Sequence, residues 1–157
     1  MKTIFAFILV GLVAAGCSTG TRKDLVTGMS ISYNGFFVGE AQLVNGENQV
    51  TTSNVVSVNE KVAIVVNDIT NYEEKEGRVF PVLDLIVTDK EGNVMLEGDD
   101  ILASDEGYLP ADAAVLRGTI TVGNPMKSGE TYHAKMMITD KLKPSNVISV
   151  EVDLVVK

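Results

Sequence analysis

Few side chains in this sequence could carry out catalytic chemistry. The 157 residues include one cysteine, Cys17, and one histidine, His133. A structural zinc site needs about four thiolate or imidazole ligands, and a serine-histidine-aspartate triad would have to use His133. His133 stands beside Lys135 in an alternating segment, so we expect both on a solvated strand face. The sequence therefore predicts no catalytic residue and no metal centre, and a protein that is not an enzyme.

Carboxylates are concentrated between residues 97 and 107, and oxygen ligands of this kind suit calcium. The candidate ligands are Asp99, Asp100 and Asp105, with Glu97 nearby, although the ligand spacing of an EF-hand loop is absent. Carboxylate pairs also serve glycosidases, but such enzymes need a deep aromatic-lined cleft and this chain has no tryptophan. The sequence leaves two interpretations, weak calcium binding and a solvated acidic loop that discourages aggregation at a sheet edge.

Two tyrosines, Tyr72 and Tyr108, fall in segments without strand periodicity and are flanked by acidic residues. A tyrosine ring offers a flat apolar face and a polar tip, which suits both sugars and protein partners. We therefore take Tyr72 and Tyr108 as candidate ligand-binding residues. The alternative interpretation is that each ring plugs a loop onto the core.

The N-terminal stretch has the composition of a leader sequence. Lys2 supplies a positive charge, residues 4–13 form a short apolar run, and residues 14–16 are small. An apolar run of this length does not reach the ~20 residues that a membrane-spanning helix needs. We therefore predict that residues 1–16 are a signal peptide that is removed.

The residues at the end of this leader, Val13-Ala14-Ala15-Gly16-Cys17, resemble the lipobox of bacterial lipoproteins. The resemblance implies cleavage between Gly16 and Cys17, a diacylglycerol on the Cys17 thiol and an acyl group on the new amino terminus. Two or three chains anchor a protein stably, because each buried methylene contributes about 0.8 kcal/mol. The next residue is Ser18 and not aspartate, which in the enterobacterial sorting scheme implies export to the outer membrane. We therefore expect a lipid-anchored protein of the bacterial cell envelope, on the periplasmic or the surface face.

The length of the chain suits one folded domain after the leader. We expect residues 17–27 to be the lipidated cysteine and a flexible tether, because they are polar and contain glycine, and residues 28–157 to be the domain. The formal net charge of −8 argues against nucleic acid as a partner and against electrostatic attraction to anionic lipid.

Alternating apolar and polar residues indicate strands through most of the domain, most clearly in residues 131–139 and 147–156. The pair Asn34-Gly35 predicts a hairpin, and residues 89–93 predict another. Only residues 110–116 have helical character. Short strands at regular spacing predict an all-β fold, an antiparallel immunoglobulin-like β-sandwich of about seven to nine strands. Local phrases such as Ser128-Gly129-Glu130-Thr131-Tyr132 are similar to those of bacterial immunoglobulin-like domains.

Together these features predict a membrane-anchored envelope lipoprotein that acts as a non-catalytic protein-binding or structural module. An envelope protein is the expected partner, and the membrane is held through the lipid on Cys17. The alternative function is a small glycan-binding accessory lipoprotein of an outer-membrane uptake system, which would expose Tyr72 and Tyr108 side by side. Protein binding would instead require an apolar patch or an unpaired strand edge.

Overall fold

The computed structural model describes residues 18–157, so the predicted signal peptide (1–16) and Cys17 lie outside the described residues. This part of the chain contains ten β-strands and no helix. The strands are β1 (Thr19–Lys23), β2 (Ser30–Asn34), β3 (Ala41–Asn45), β4 (Val55–Val56), β5 (Lys61–Val66), β6 (Pro81–Thr88), β7 (Val94–Gly98), β8 (Leu116–Thr121), β9 (Thr131–Asp140) and β10 (Val147–Val156). Their many β-branched residues favour a pleated, half-buried surface.

The strands form two sheets. One runs in the order β1-β2-β10-β9-β6-β7, with β4 pairing in parallel to the end of β10, and the other in the order β3-β5-β8. All other strand pairs are antiparallel, which confirms the predicted all-β sandwich. The ten strands exceed the predicted number because β1 arises from the segment expected to be a tether and β4 is only two residues long.

The core lies between the two sheets. In β9 the side chains of Tyr132, Ala134, Met136 and Ile138 are buried, as the alternation predicts, and β6 and β10 bury alternate residues in the same way. The sheets approach closely at β8, where a Cβ on Gly118 would lie 2.8 Å from the sulfur of Met136. Hydrophobic burial between the sheets is therefore the main source of stability, since no disulfide can form within a chain that has one cysteine.

The predicted tether is in fact a strand for much of its length. Thr19–Lys23 pairs residue by residue with β2, from Thr19 opposite Asn34 to Lys23 opposite Ser30. The Arg22 guanidinium donates hydrogen bonds to the carbonyl groups of Val38 and Gly39, and so ties this edge strand to the segment that leads into β3. A polar strand at a sheet edge needs no apolar alternation, which is why composition indicated flexibility here.

The Asn34-Gly35 pair does not form the predicted hairpin, because β2 and β3 lie in different sheets. Gly35 does adopt a left-handed backbone, with φ of 78°. A Cβ at Gly35 would clash with the side chain of Asn146, so glycine is needed there for close packing as well as for the turn. A turn signal does not specify which sheet the following strand joins.

The other local predictions have mixed outcomes. The hairpin at residues 89–93 is confirmed between β6 and β7, with Gly92 at φ of 88°. Residues 110–116 form turns and then the start of β8, not a helix. That stretch is too short to hold a helix without support from packing, and β8 instead gains a ladder to β5.

The two ends of the sandwich are named here by their distance from Ser18. The proximal end contains Ser18 and the loops 34–37, 67–80, 99–115 and 141–146. The distal end contains the turns 24–29, 57–60, 89–93 and 122–130.

Candidate functional site

Ser18, the residue that follows the predicted lipidation site, is fixed to the proximal end. Its carbonyl oxygen accepts a hydrogen bond from the N–H of Gly35 at 2.7 Å, and its hydroxyl donates to the carbonyl of Phe36. Gly16 and Cys17 themselves lie outside the described residues. The fold therefore begins immediately after the cysteine, without an intervening linker.

Buried polar side chains join the loops around Ser18. The carboxylate of Asp140 is fully buried and accepts hydrogen bonds from the N–H groups of Glu73 at 2.7 Å and Leu142 at 2.9 Å. The side chain of Asn146 is also fully buried and donates to the carbonyl of Asn71 at 2.8 Å. Such groups hold loops in one arrangement, since a buried donor or acceptor left without a partner is costly.

Tyr72 is half-buried and packs against the core. Its ring makes an edge-to-face contact with Phe36, with centroids 4.9 Å apart, and its hydroxyl donates to the carbonyl of Ala113 at 3.0 Å. Burial, together with the negative charge of Asp140, raises the pKa of Tyr72. This ring is therefore a plug between loops and core, the second of the two interpretations of the sequence.

Tyr108 is half-buried as well, and its hydroxyl donates to the carbonyl of Leu102 at 2.6 Å. The backbone of Tyr108 pairs with that of Val79, which fixes the loop against the start of β6. The ring partner of Tyr72 is Phe36 and not Tyr108. Both tyrosine hydroxyls therefore donate to backbone carbonyls, and the two rings do not form a paired aromatic platform.

The acidic residues of the loop after β7 are not gathered into a metal site. Asp99 and Asp105 are exposed, whereas Asp100 is half-buried and its N–H donates to Asp84 at 2.8 Å. Within residues 18–157 no three carboxylate, histidine or cysteine side chains lie close enough together to hold a metal ion. Asp99 and Asp105 are solvated, as one of the two interpretations expects, whereas Oδ1 of Asp100 is buried and has no hydrogen-bond partner among the described residues.

His133 lies on the outward face of the larger sheet, as the sequence predicts. Its Nδ1 is 2.9 Å from Asp153, its Nε2 is 3.9 Å from Glu151, and Lys135 lies 3.1 Å from Glu151. The side chain of His133 is 45% exposed, so these contacts form a surface charge cluster. Exposed pairs of this kind contribute little to stability.

A cleft of about 390 Å³ opens at the distal end, between the β6–β7 hairpin and the loop that precedes β9. This volume falls within the ~300–1,000 Å³ typical of ligand sites. The lining residues are Asp89, Lys90, Glu91, Met95, Pro125, Lys127, Glu130, Thr131 and Tyr132. The cleft therefore offers charges of both signs above a small apolar floor.

Both walls of the cleft are held by hydrogen bonds. The carboxylate of Asp89 accepts from the N–H groups of Glu91 and Asn93 and so fixes the hairpin. On the other wall, the N–H of Lys127 donates to the hydroxyl of Tyr132 at 2.7 Å. Lys90 and Glu130 bridge the walls at 3.4 Å, with both side chains largely exposed. The cleft is thus preformed, and an incoming polar group has only an exposed ion pair to displace.

Sequence reasoning finds the hairpin of this cleft but not the cleft. Residues 89–93 carry a clear turn signal, whereas residues 123–130 carry no sequence pattern that indicates a binding site. The two segments are about forty positions apart in the chain and meet only because β6 pairs with β9. Tyr132 is correctly predicted on the inward face, yet its hydroxyl reaches the cleft loop.

No protein-family model and no curated protein matches this chain. Among solved structures, the chain is similar to one described as the C-terminal domain of wzt, with a TM-score of 0.50 and 11% sequence identity. The similarity covers 89% of this chain and 78% of that one. At this level of identity it supports the all-β fold alone. Within residues 18–157 no helix is long and apolar enough to cross a membrane.

Proposed function

We propose that this protein is a lipid-anchored, non-catalytic binding module of the bacterial cell envelope, which presents its distal cleft to a partner protein. The observation that carries the proposal is that Ser18 and the distal cleft lie at opposite ends of the sandwich. Ser18, next to the predicted lipidation site, is fixed at the proximal end, and the cleft of about 390 Å³ opens at the opposite end. An anchor at Cys17 therefore leaves the cleft facing away from the bilayer.

The chemistry of the cleft suits a polar segment of a protein. Lys90 and Lys127 can pair with carboxylates, while Glu91 and Glu130 can pair with lysine or arginine. Met95 and the Tyr132 region supply a small apolar floor for one side chain of the partner. Mixed charges of this kind give specificity and orientation more than affinity, which fits a reversible partner.

A non-catalytic role is supported by the surroundings of the one histidine. His133 and Asp153 lie on an open sheet face, and neither lines the distal cleft. A general base works in a site that positions the substrate and excludes water. The charge cluster around His133 offers no such enclosure.

The anchor is tested by replacing Cys17 with alanine. We expect the wild-type protein to pellet with membranes and the C17A protein to remain in the soluble fraction, because the acyl chains supply the membrane affinity. Metabolic labelling with a palmitate analogue should mark the wild type and not the variant. Tight membrane association of the unlabelled variant would contradict the anchor.

The cleft is tested by photo-crosslinking in intact cells. A photoreactive residue at Lys127, in the cleft, should give a discrete protein adduct that the same residue at Lys61 does not give. Lys61 is the matched control, because it is an exposed lysine at the same end but outside the cleft. Equal adducts at both positions, or none at Lys127, would contradict the proposed site.

The glycan alternative is tested by a charge reversal at the same cleft residue, Lys127→Glu. Tyr72 and Tyr108 give it no open platform, so we take the distal cleft as the glycan site to test. Retention of the wild-type protein on envelope polysaccharide, lost on changing Lys127 to glutamate, would favour a glycan over a protein partner.

A further inference from the structure

We propose that the proximal end of the sandwich rests directly on the lipid headgroups of the membrane that holds Cys17. This inference depends on the proposed anchor and adds an interaction surface to it. The surface, called here the seating face, consists of Ser18, Phe37 and the loop 141–145.

Ser18, which directly follows the predicted lipidation site, is already fixed to the fold. Consecutive Cα atoms are about 3.8 Å apart, so a lipidated Cys17 lies within one residue of Ser18. Ser18 is held by hydrogen bonds to Gly35 and Phe36, and β1 is paired from Thr19 onward. A lipid whose glycerol lies at the headgroup level must therefore hold the neighbours of Ser18 at that level as well.

The residues beside Ser18 include exposed apolar side chains and lysines, which suit a membrane surface. Phe37 directly follows the residue whose carbonyl accepts from the Ser18 hydroxyl, and it is 56% exposed. Leu142 is exposed between Lys141 and Lys143. Exposed phenylalanine and leucine side chains, and lysines with apolar stems, suit the boundary between headgroups and acyl chains.

A polar depression opens at the same place. It has a volume of about 240 Å³ and is lined by Ser18, Asn34, Gly35, Asn71, Lys143, Ser145 and Asn146. Its amide and hydroxyl groups and the Lys143 ammonium match the phosphate and ester oxygens of a phospholipid headgroup. The depression is rigid, because buried Asn146 forms part of its wall.

The direct connection of Ser18 to the anchor, and not the net charge of the protein, holds the seating face against the membrane. Glu73 and Glu74 lie at the same end as Lys141 and Lys143, and the chain as a whole is acidic. The opposite end is far from the bilayer in this arrangement. Leu25, in a distal turn, lies seven positions after Ser18 with β1 between them, which at ~3.3 Å per position corresponds to about 23 Å.

The test uses a matched pair of single-cysteine probes on the acylated full-length protein. Once Cys17 is acylated, an engineered cysteine is the one free thiol. Ser145→Cys places a polar fluorophore on the seating face, and Ser128→Cys places it on an exposed distal loop. In liposomes whose phosphatidylcholine carries a headgroup quencher, we expect several-fold stronger quenching at position 145 than at 128.

Equal quenching at the two positions in protein that still pellets with the liposomes would overturn the seating and leave the anchor intact. Failure to pellet would instead contradict the anchor. A third variant carries ten glycine and serine residues inserted between Cys17 and Ser18, which span roughly 17–19 Å. This insertion should lower quenching at position 145 to near the level at 128, and unchanged quenching would contradict the direct connection as its cause.

Discussion

The two ends of the sandwich are held by different kinds of interaction. At the proximal end, Asp140 and Asn146 are completely buried and join loops that are far apart in the chain. At the distal end, Asp89 caps its own hairpin, and Lys90 reaches Glu130 through a solvent-exposed ion pair. Buried polar groups fix a structure because leaving them unpaired is costly, whereas exposed pairs are nearly neutral. The proximal end is therefore fixed in one conformation by buried polar groups, whereas the distal end presents its polar side chains to solvent.

Removing Asp140 should have the largest effect on stability. Asp140→Ala removes a fully buried carboxylate and leaves the N–H groups of Glu73 and Leu142 without their acceptor in a partly buried site, which should cost about 2–4 kcal/mol. Chemical denaturation followed by circular dichroism measures the loss. Asp89→Ala is the distal counterpart, since that carboxylate also caps backbone N–H groups, and it should cost clearly less because water can replace it. Equal losses would remove the distinction between the two ends.

A pair of glycines makes the same comparison through the backbone. Gly35 and Gly92 both have left-handed backbones, so alanine should cost about 1–2 kcal/mol at either position. At Gly35 the new Cβ would also lie 3.1 Å from the Cα of Asn146, whereas at Gly92 nothing lies within 4 Å. We therefore expect Gly35→Ala to cost about 1–3 kcal/mol more than Gly92→Ala. Indistinguishable denaturation midpoints would show that the proximal packing can relax.

The sequence predicts the strands of the core better than their connections. The alternation in β9 and β10 identifies the buried residues, because a period of two places every second side chain on one face. It does not predict that β1 forms, because Thr19–Lys23 is polar and is recruited by the edge of β2. Nor does it predict that the chain crosses between sheets after Asn34, since a turn signal does not specify which sheet the next strand joins.

The prediction of site residues from sequence is limited for the same reason, because it too depends on tertiary contacts. Tyr72 and Tyr108 have the residue type of a ligand platform, but whether a ring is open or packed depends on contacts with Phe36 and Leu102 that lie elsewhere in the chain. The distal cleft escapes prediction because its two walls meet only through the pairing of β6 with β9. Local sequence patterns identify which side chains could bind a ligand, and the tertiary pairing of strands decides which of those side chains are exposed together.

The smallest predicted effect concerns the acid dependence of the distal hairpin. Hydrogen bonds, first from the side chain of Asn93 and then from backbone N–H groups, hold the pKa of Asp89 below its usual value of 3.8. A lowered pKa in the folded state stabilises the fold above pH 3.8, and this contribution is lost as the pH falls through the folded-state pKa. Asp89→Asn should therefore lower Tm slightly near neutral pH, and the difference from wild type should vanish in strong acid.

Thermal melts from neutral pH to about pH 2.5 measure this difference across the window in which the carboxylate is protonated. Glu91→Gln is the matched control, because it removes a charge from the same hairpin and the Glu91 side chain makes no hydrogen bond within residues 18–157. A gap between Asp89→Asn and wild type that persists unchanged in acid would mean that the carboxylate charge contributes nothing. The hydrogen bonds of the Asp89 side chain would then hold the hairpin without its charge, and the Asp89 wall of the cleft would stay in place when that charge is removed.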